Sequence, residues 1–210
     1  MLPRLTLAVL SGLAAALTAP AQSDPASLPA HDMHDGLLIA ANPLSGEAAY
    51  KARFGKKNPY DAGLLAIEVV FRNDNSKPIR IKLESIRLIL APPDVQRQRF
   101  GMLSVEDVAD RILNKGGPNL NKSRKPIPMP GRGPKTGKGK ELDQLESSLR
   151  AVAFDTDILP PRGTVRGLLF FDLNHHYDWL RYARLYLPDL EFMDSKQALL
   201  FFEIDLSVSQ

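Results

Sequence analysis

Apolar residues recur at every second position in several stretches of this chain, and that period predicts β-strands. Between Leu65 and Phe71 the apolar side chains fall on one face, while Glu68 falls on the other. The closing stretch 198–208 alternates in the same way. A period of two is typical of a strand that buries one face. Further apolar stretches predict strands at 36–41, 164–173 and 183–187.

The polar stretch 73–78 predicts a turn between two of these strands. Its sequence, NDNSKP, consists of turn-forming residues whose short side chains bond back to the backbone or whose ring restricts it. The alternation resumes at Ile79 and slips by one position after Ser85, so we expect a bulge or bend near Glu84 and Ser85. Residues 64–90 are therefore predicted to form an antiparallel hairpin.

In the middle of the chain the apolar period changes to that of a helix. Ser104 precedes an apolar stripe and Asp107 completes a capping pattern, which predicts a helix ending near Asn114. A second helix is predicted to begin near Glu141. The Pro-, Gly- and Lys-rich residues 116–140 between them have too little apolar surface to offset the entropy of ordering, so we expect disorder there.

Strands on both sides of this helical and basic insertion, placed at about 91–154, predict a mainly β fold of stacked antiparallel sheets. The sequence resembles the immunoglobulin-like β-sandwiches of exported, uncharacterised bacterial proteins in three stretches: VVFRNDNSKPIRI, LPPRGTVRGLLFFDL and LLFFEIDLS. The resemblance implies an antiparallel immunoglobulin-like sandwich with an inserted segment of two short helices and a disordered basic loop. It implies no activity, and the chain lacks the cysteine pair of antibody domains.

The first 21 residues predict a secretory signal peptide. Arg4 precedes a mostly apolar run, and Ala19-Pro20-Ala21 offers small residues where signal peptidase reads. A membrane anchor is the alternative, but the run is shorter than the ~20 apolar residues that span a bilayer. The absence of cysteine excludes a lipoprotein anchor and favours a periplasmic or extracellular location in bacteria. We expect a flexible tail at 22–36, one domain at 37–210, and no transmembrane segment in the mature chain.

Positive charge is concentrated in the basic segment, defined here as residues 111–140. It contains nine Lys and Arg and no Asp or Glu, whereas the rest of the chain is acidic on balance. The segment could bind an anionic envelope component or an acidic protein; a solvated loop that binds nothing is the alternative. The predicted partner-binding residues are Lys115, Lys122, Arg124, Lys125, Arg132, Lys135, Lys138 and Lys140.

Two other ligands of a basic segment are disfavoured by its sequence. It contains no aromatic residue that could stack on a base, so nucleic acid is not expected as a partner. The stretch GRGPKTGKGK resembles a phosphate-binding loop, but Arg132 stands where the first Gly is required and Gly139 where Ser or Thr is required. We therefore expect no nucleotide and no other cofactor.

The four histidines are the candidate metal ligands. They occur as two pairs, one in HDMHD and one in HHYD, which together could share a zinc or copper ion. Neither pair has helical H-x-x-x-H spacing, and a polar tail and a polar turn are the alternative interpretation. The candidates are His31, His34, His175 and His176.

Candidate catalytic residues are not apparent in the sequence. Ser, His and Asp are not arranged around a G-x-S-x-G elbow, and the aromatic residues between Tyr177 and Tyr186 are interpreted as packing, with a ligand-facing patch as the alternative. The sequence thus predicts a non-catalytic exported binding or structural module of the bacterial cell envelope. An electrostatic adaptor that uses 111–140 is the second hypothesis, and a metal-binding protein or metal-dependent enzyme is the third.

Overall fold

The structure is a computed structural model that describes residues 25–114 and 138–209. Antiparallel β-sheets dominate the described chain, so the predicted mainly β fold is confirmed. The strands are β1 (His31–His34), β2 (Leu37–Pro43), β3 (Leu64–Asn73), β4 (Ile79–Ile81), β5 (Arg87–Leu90), β6 (Gln98–Gly101), β7 (Ile158–Leu159), β8 (Thr164–Asp172), β9 (Ala183–Leu187), β10 (Leu190–Phe192) and β11 (Phe202–Asp205). The helices are α1 (Gly46–Phe54), α2 (Val105–Leu113) and α3 (Lys138–Arg150).

These strands form three sheets. The first sheet has the order β1-β2-β3-β8, the second sheet β11-β9-β5-β6, and a small third sheet β10-β4-β7. The inner faces of the first and second sheets share one apolar core, to which β3 contributes Leu65 and Phe71 and the second sheet contributes Leu88, Leu185 and Phe202. The alternation read from the sequence therefore buries one face of each sheet against the other.

The outer face of the first sheet is covered by helices. Leu64 and Ala66 of β3 and Phe170 of β8 point away from the sandwich core and pack with Val108 of α2 and Leu149 of α3. Strand β3 is consequently buried on both faces, with Glu68 and Arg72 half-buried among otherwise buried residues. The sequence predicted a half-buried strand here, because the period of two marks the sandwich face but does not reveal the helix layer.

The predicted hairpin at 64–90 is wrong. Strand β3 pairs with β2 on one side and β8 on the other, while β4 pairs with β10 and β7. Both edges of β3 are thus occupied, and the polar stretch carries the chain from one sheet to another. The buried Asn73 side chain holds this bend, since its Nδ2 donates to the carbonyls of Lys77 (2.8 Å) and Pro160 (3.1 Å).

Two further boundaries differ from the prediction, and one predicted bend is present. The expected flexible tail at 22–36 contains strand β1, which pairs with β2 from His31 opposite Ala40 to His34 opposite Leu37. The closing strand is limited to β11, and Leu200 and Val208 are exposed rather than in line with the buried residues. The bend predicted near Glu84 and Ser85 is confirmed, as a 3-10 turn at Leu83–Ser85.

The insertion is partly as predicted. Ser104 caps α2 by accepting a hydrogen bond from the Asp107 amide at 3.1 Å, which confirms the capping pattern. Helix α3 begins at Lys138 rather than Glu141, so 138–140 are helical and not disordered. The insertion also contributes a strand, β6, to the second sheet. The remainder of the predicted disordered loop, 116–137, lies outside the described residues.

Candidate functional site

The two ends of the basic segment lie on the helix layer. Helix α2 ends at Leu113 and α3 begins at Lys138, so the segment joins two helices that pack against the same sheet. An exposed ion pair links the helices, with Arg150 Nη2 at 2.5 Å from Glu106 Oε1. A second ion pair, between Arg111 and Asp172, ties α2 to the end of β8.

The predicted partner-binding residues fall mostly beyond what the structure describes. Lys138 is the first residue of α3, and Lys140 is exposed on the first turn of the same helix. The structure therefore places these two at the base of the segment. The others, which lie outside the described residues, are Lys115, Lys122, Arg124, Lys125, Arg132 and Lys135.

A cavity of ≈ 490 Å³ opens beside this base, between α2, α3 and the residues that follow α1. Lys56 and Lys57 line it from one side and Glu141 from the other, and Lys57 forms an ion pair with Glu141. The wall is rigid because the buried Asn58 donates to Asp61 Oδ2 and accepts from the Asp61 amide, both at 3.1 Å. Lys56 thus adds an exposed cation next to the segment.

The four candidate metal ligands do not meet. His31 and His34 lie on β1, at the level of Val70 to Asn73 of β3 in the sheet register. His175 instead lies against Gly63, just before the opposite end of β3. Seven or more strand residues at ~3.3 Å each separate the two pairs by roughly 20 Å. An ion shared by the two pairs is therefore excluded by the fold.

Each histidine has local contacts instead. The His34 ring stacks on Phe202 with centroids 3.7 Å apart, and the His176 ring stacks on Trp179 at 4.3 Å. His31 Nδ1 bonds to the carbonyl of Leu28. Among residues 25–114 and 138–209, no group of three His, Cys, Asp or Glu side chains is placed to hold a metal ion.

The aromatic stretch after β8 divides into a packed part and an exposed part. The Tyr177 hydroxyl donates to the carbonyls of Tyr60 (2.9 Å) and Leu64 (3.2 Å), and its ring stacks on Tyr60 with centroids 4.4 Å apart. Burial raises the pKa of the Tyr177 phenol. Tyr177 therefore ties the β8–β9 connection to the start of β3, as the packing interpretation predicts. Tyr182 is exposed at the end of the connection, and Tyr186 is half-buried on the outer face of the second sheet.

That outer face carries a site that the sequence reading missed. A groove of ≈ 470 Å³ lies over β5, β9 and β11 and is lined by Arg97, Arg181, Arg184, Glu203 and Asp205. Its residues come from three distant parts of the chain, so no local motif marks it. The signal that could have found it is the alternation itself, which puts Arg184 on the solvent face between two buried neighbours, Ala183 and Leu185.

No family model and no curated protein matches this chain. Among solved structures, the chain is similar to a functionally unknown protein from Listeria monocytogenes EGD-e, at 14% sequence identity over 75% of this chain and 70% of that chain, with a TM-score of 0.35. Within the two described ranges, no helix combines the length and the apolar character needed to cross a membrane.

Proposed function

We propose that this protein is an exported, non-catalytic binding module of the bacterial cell envelope that acts as an electrostatic adaptor. In this proposal the basic segment 111–140 is the contact element, and its partner is the anionic surface of a lipid bilayer. One observation carries the proposal: α2 and α3 hold both ends of the segment on the same side of the molecule, next to further exposed cations.

The packing of the two helices supports this role. Val108, Ala109 and Leu149 are buried against the outer face of the first sheet, so both helices are anchored by apolar contacts and by the Arg150–Glu106 pair. A fixed base holds the two ends of the segment on the outer side of the first sheet. Lys and Arg near an anionic bilayer contribute about 1 kcal/mol each.

We further propose that the sandwich is of the immunoglobulin type. If β2, β3 and β8 correspond to strands A, B and E, and β5, β6, β9 and β11 to strands C, C′, F and G, the observed orders become A-B-E and G-F-C-C′. These neighbours are the ones that immunoglobulin sheets have. Strand β1 and the small third sheet are additions to that plan. The correspondence supports a scaffold role, since this fold type by itself implies no catalysis.

Co-sedimentation with vesicles tests the adaptor role. The purified protein is mixed with phosphatidylcholine vesicles that contain or lack phosphatidylglycerol, over a series of salt concentrations. We expect binding only to the anionic vesicles, weakened by salt because ions screen exposed charges within ~10 Å at 0.1 M. Changing Lys122, Arg124, Lys125 and Arg132 to Gln should lower the partition coefficient at least 100-fold, given about 1 kcal/mol per charge.

A matched variant separates a specific segment from overall charge. Changing Lys82, Arg162, Arg166 and Lys196 to Gln removes the same charge from exposed positions outside the segment. We expect this variant to bind nearly as the unmodified protein does. Equal losses in the two variants would contradict the adaptor role. A different result would be binding to neither kind of vesicle, with capture of an acidic envelope protein that requires the basic segment. The partner would then be a protein and not a lipid surface.

Export is a separate part of the proposal and has its own test. Mass spectrometry of protein recovered from the envelope fraction should show a chain that begins after Ala21, because the first 21 residues read as a cleaved signal peptide. A chain recovered from the cytoplasm that retains those residues would contradict export without bearing on the charge of the segment.

A further inference from the structure

The outer face of the second sheet presents a row of charged side chains to solvent. In the sheet register Arg99 of β6 lies opposite Ile89 of β5, Ile89 opposite Arg184 of β9, and Arg184 opposite Asp205 of β11. Their chain neighbours point the other way into the sandwich core. Arg99, Ile89, Arg184 and Asp205 therefore form a strip across four strands, on a face that none of the three described α-helices covers.

A groove follows this strip and has the size of a ligand site. Its volume is ≈ 470 Å³, within the roughly 300–1,000 Å³ that is typical of small-molecule pockets. Ile89 forms an apolar floor and is only 4% exposed although it lies on the outer face. The amide of Ala91 donates to the carbonyl of Tyr182 at 3.2 Å, which brings the chain leading to Arg97 beside the Arg181 wall.

Two of the three arginines in the groove retain hydrogen-bonding capacity for a ligand. Arg184 Nη1 donates to Glu203 Oε1 at 2.8 Å, so its charge is largely balanced by that carboxylate. Arg181 uses Nε to donate to the carbonyl of Asp178 and lies over the Tyr182 ring, and its terminal amino groups have no partner in the part of the chain that the structure describes. Arg97 has no hydrogen-bond or ion-pair partner among the described residues.

The opposite wall of the groove is made of oxygen acceptors. Asp205 lies there with Ser207, whose amide donates to Asp205 Oδ1 at 2.9 Å. Hydrogen bonds from the side chain and the amide of Ser207 hold the pKa of the Asp205 carboxyl below its usual range, so it is ionised. A bare polyanion would be repelled by Asp205 and Glu203, whereas a ligand with hydroxyl groups could donate hydrogen bonds to them.

We propose that this groove binds a phosphate ester of a sugar or another polyol. Arg97 and Arg181 would bind the phosphate, because the planar guanidinium group donates in pairs to phosphate oxygens. Asp205 and Ser207 would accept hydrogen bonds from the hydroxyl groups of the ligand, and Ile89 and Tyr182 would line its less polar surface. The groove uses no residue of the basic segment, so this site is independent of the adaptor role.

Isothermal titration calorimetry with glucose 1-phosphate tests the site. We expect one ligand per chain, weaker binding of inorganic phosphate and no binding of glucose. Arg97→Gln and Arg181→Gln should each lower the affinity for glucose 1-phosphate at least tenfold, while the control Arg162→Gln on an exposed loop should leave it unchanged. Asp205→Asn should reduce the preference for glucose 1-phosphate over inorganic phosphate.

Repeating the titration in the protein with Lys122, Arg124, Lys125 and Arg132 changed to Gln keeps the two proposals apart. Unchanged affinity there supports a separate groove even if vesicle binding is lost. This segment variant is also mixed with phosphatidylinositol vesicles. Binding to the vesicles that is lost on adding Arg97→Gln would identify the natural phosphate ester as a lipid headgroup. Binding of glucose 1-phosphate without binding to the vesicles would identify it as a soluble ester.

Three results would overturn the site. The first is no heat of binding with any phosphate ester, in the unmodified protein or in the segment variant. The second is an affinity for glucose 1-phosphate that Arg97→Gln and Arg181→Gln leave unchanged. The third is an equal affinity for inorganic phosphate and for glucose 1-phosphate. Circular dichroism of each variant guards against unfolding, and both arginines are exposed, so the variants are expected to fold.

Discussion

The outer faces of the two main sheets differ in what covers them. On the first sheet, Leu64, Ala66 and Phe170 point outward and are buried beneath α2 and α3. On the second sheet, Arg184 and Glu203 occupy the outward positions and remain in contact with solvent. Since both sheets share one inner core, the difference lies in the residues at every second position. An apolar outer face is covered by helices, which adds stability, whereas a polar outer face stays in contact with solvent.

The largest expected effect contrasts two phenylalanines, one on each face. Phe170 is 1% exposed under the helix layer, and Phe201, which contacts Tyr186 on the bare face, is 52% exposed. Phe170→Ala should lower the free energy of unfolding by about 3–5 kcal/mol through lost burial and a cavity. Phe201→Ala should change it by roughly 0.5 kcal/mol or less. Urea denaturation monitored by circular dichroism measures both.

A similar loss in the two phenylalanine variants would break the comparison, because it would mean that the second sheet is also covered. A small loss in Phe170→Ala alone would instead mean that the helices contribute little to the stability of the first sheet.

A smaller effect is expected where the chain after α3 meets β8. A Cβ atom at Gly167 would lie 2.6 Å from the backbone N and Cα of Phe154. The segment at Phe154 is held there by hydrogen bonds of 2.9 Å between Leu168 and residues 152 and 154. Gly167→Ala should therefore cost about 1–3 kcal/mol by overpacking. The control is Gly101→Ala on β6, where the added Cβ meets nothing within 4 Å; equal melting temperatures for the two variants would refute the close approach.

Next in size is the buried phenol beneath the helix layer. The Tyr50 hydroxyl accepts a hydrogen bond from the Ala66 amide at 2.7 Å and is fully buried. Tyr50→Phe leaves that amide without an acceptor, so the free energy of unfolding should fall by about 1–3 kcal/mol. The matched change Tyr186→Phe on the bare face should have almost no effect in the same urea titration.

Tyr50 and Tyr177 also predict a dependence on alkaline pH. Burial raises the pKa of both phenols above the ordinary value of 10.0. Their contribution is complete below pH 10, and it is lost as pH rises above 10 because the unfolded chain then releases protons that the folded chain retains. The urea midpoint should fall between pH 9 and pH 11, and this fall should be smaller in a Tyr50→Phe, Tyr177→Phe double variant. An identical fall in the double variant would show that other groups cause it.

The smallest expected effect concerns the ion pair between α2 and α3. The side chains of Arg150 and Glu106 are 57% and 50% exposed, respectively. Exposed pairs contribute about 0–1 kcal/mol, so Arg150→Gln should lower the free energy of unfolding by less than ~1 kcal/mol, and 1 M salt should abolish the difference. A loss as large as that of Phe170→Ala would mean that charge, not apolar burial, holds the helix layer.

The sequence predicted strands better than it predicted their partners. The period of two marks β3, and apolar stretches mark β8 and β9, because both signals follow from the residues of one strand and are local properties. Strand β3 pairs with β2 and β8 and not with β4. This choice of partners depends on how all the strands of the sheet fit together, which is not a local property. The stretch 73–78 has the composition of a hairpin turn, yet it forms a bend between two sheets. The hydrogen bonds of the buried Asn73 side chain hold this bend.

The candidate sites were predicted in part. The charge of the basic segment is a property of composition and can be read directly, whereas the attachment of its two ends to the helix layer could not be. Strand β1 was missed because HDMH is polar, as suits an edge strand whose side chains alternate between exposed and half-buried positions. The groove was missed because Arg97, Arg184 and Asp205 meet only after three strands pair.

Strand β3 has neighbours on both edges, helices above it and the second sheet below it. Its residues LLAIEVVF combine high β-propensity with a single charge and no proline, a composition that favours intermolecular aggregation when the chain is unfolded. During synthesis, before β8 has emerged to complete the sheet, one edge of this segment is open to pairing with another chain.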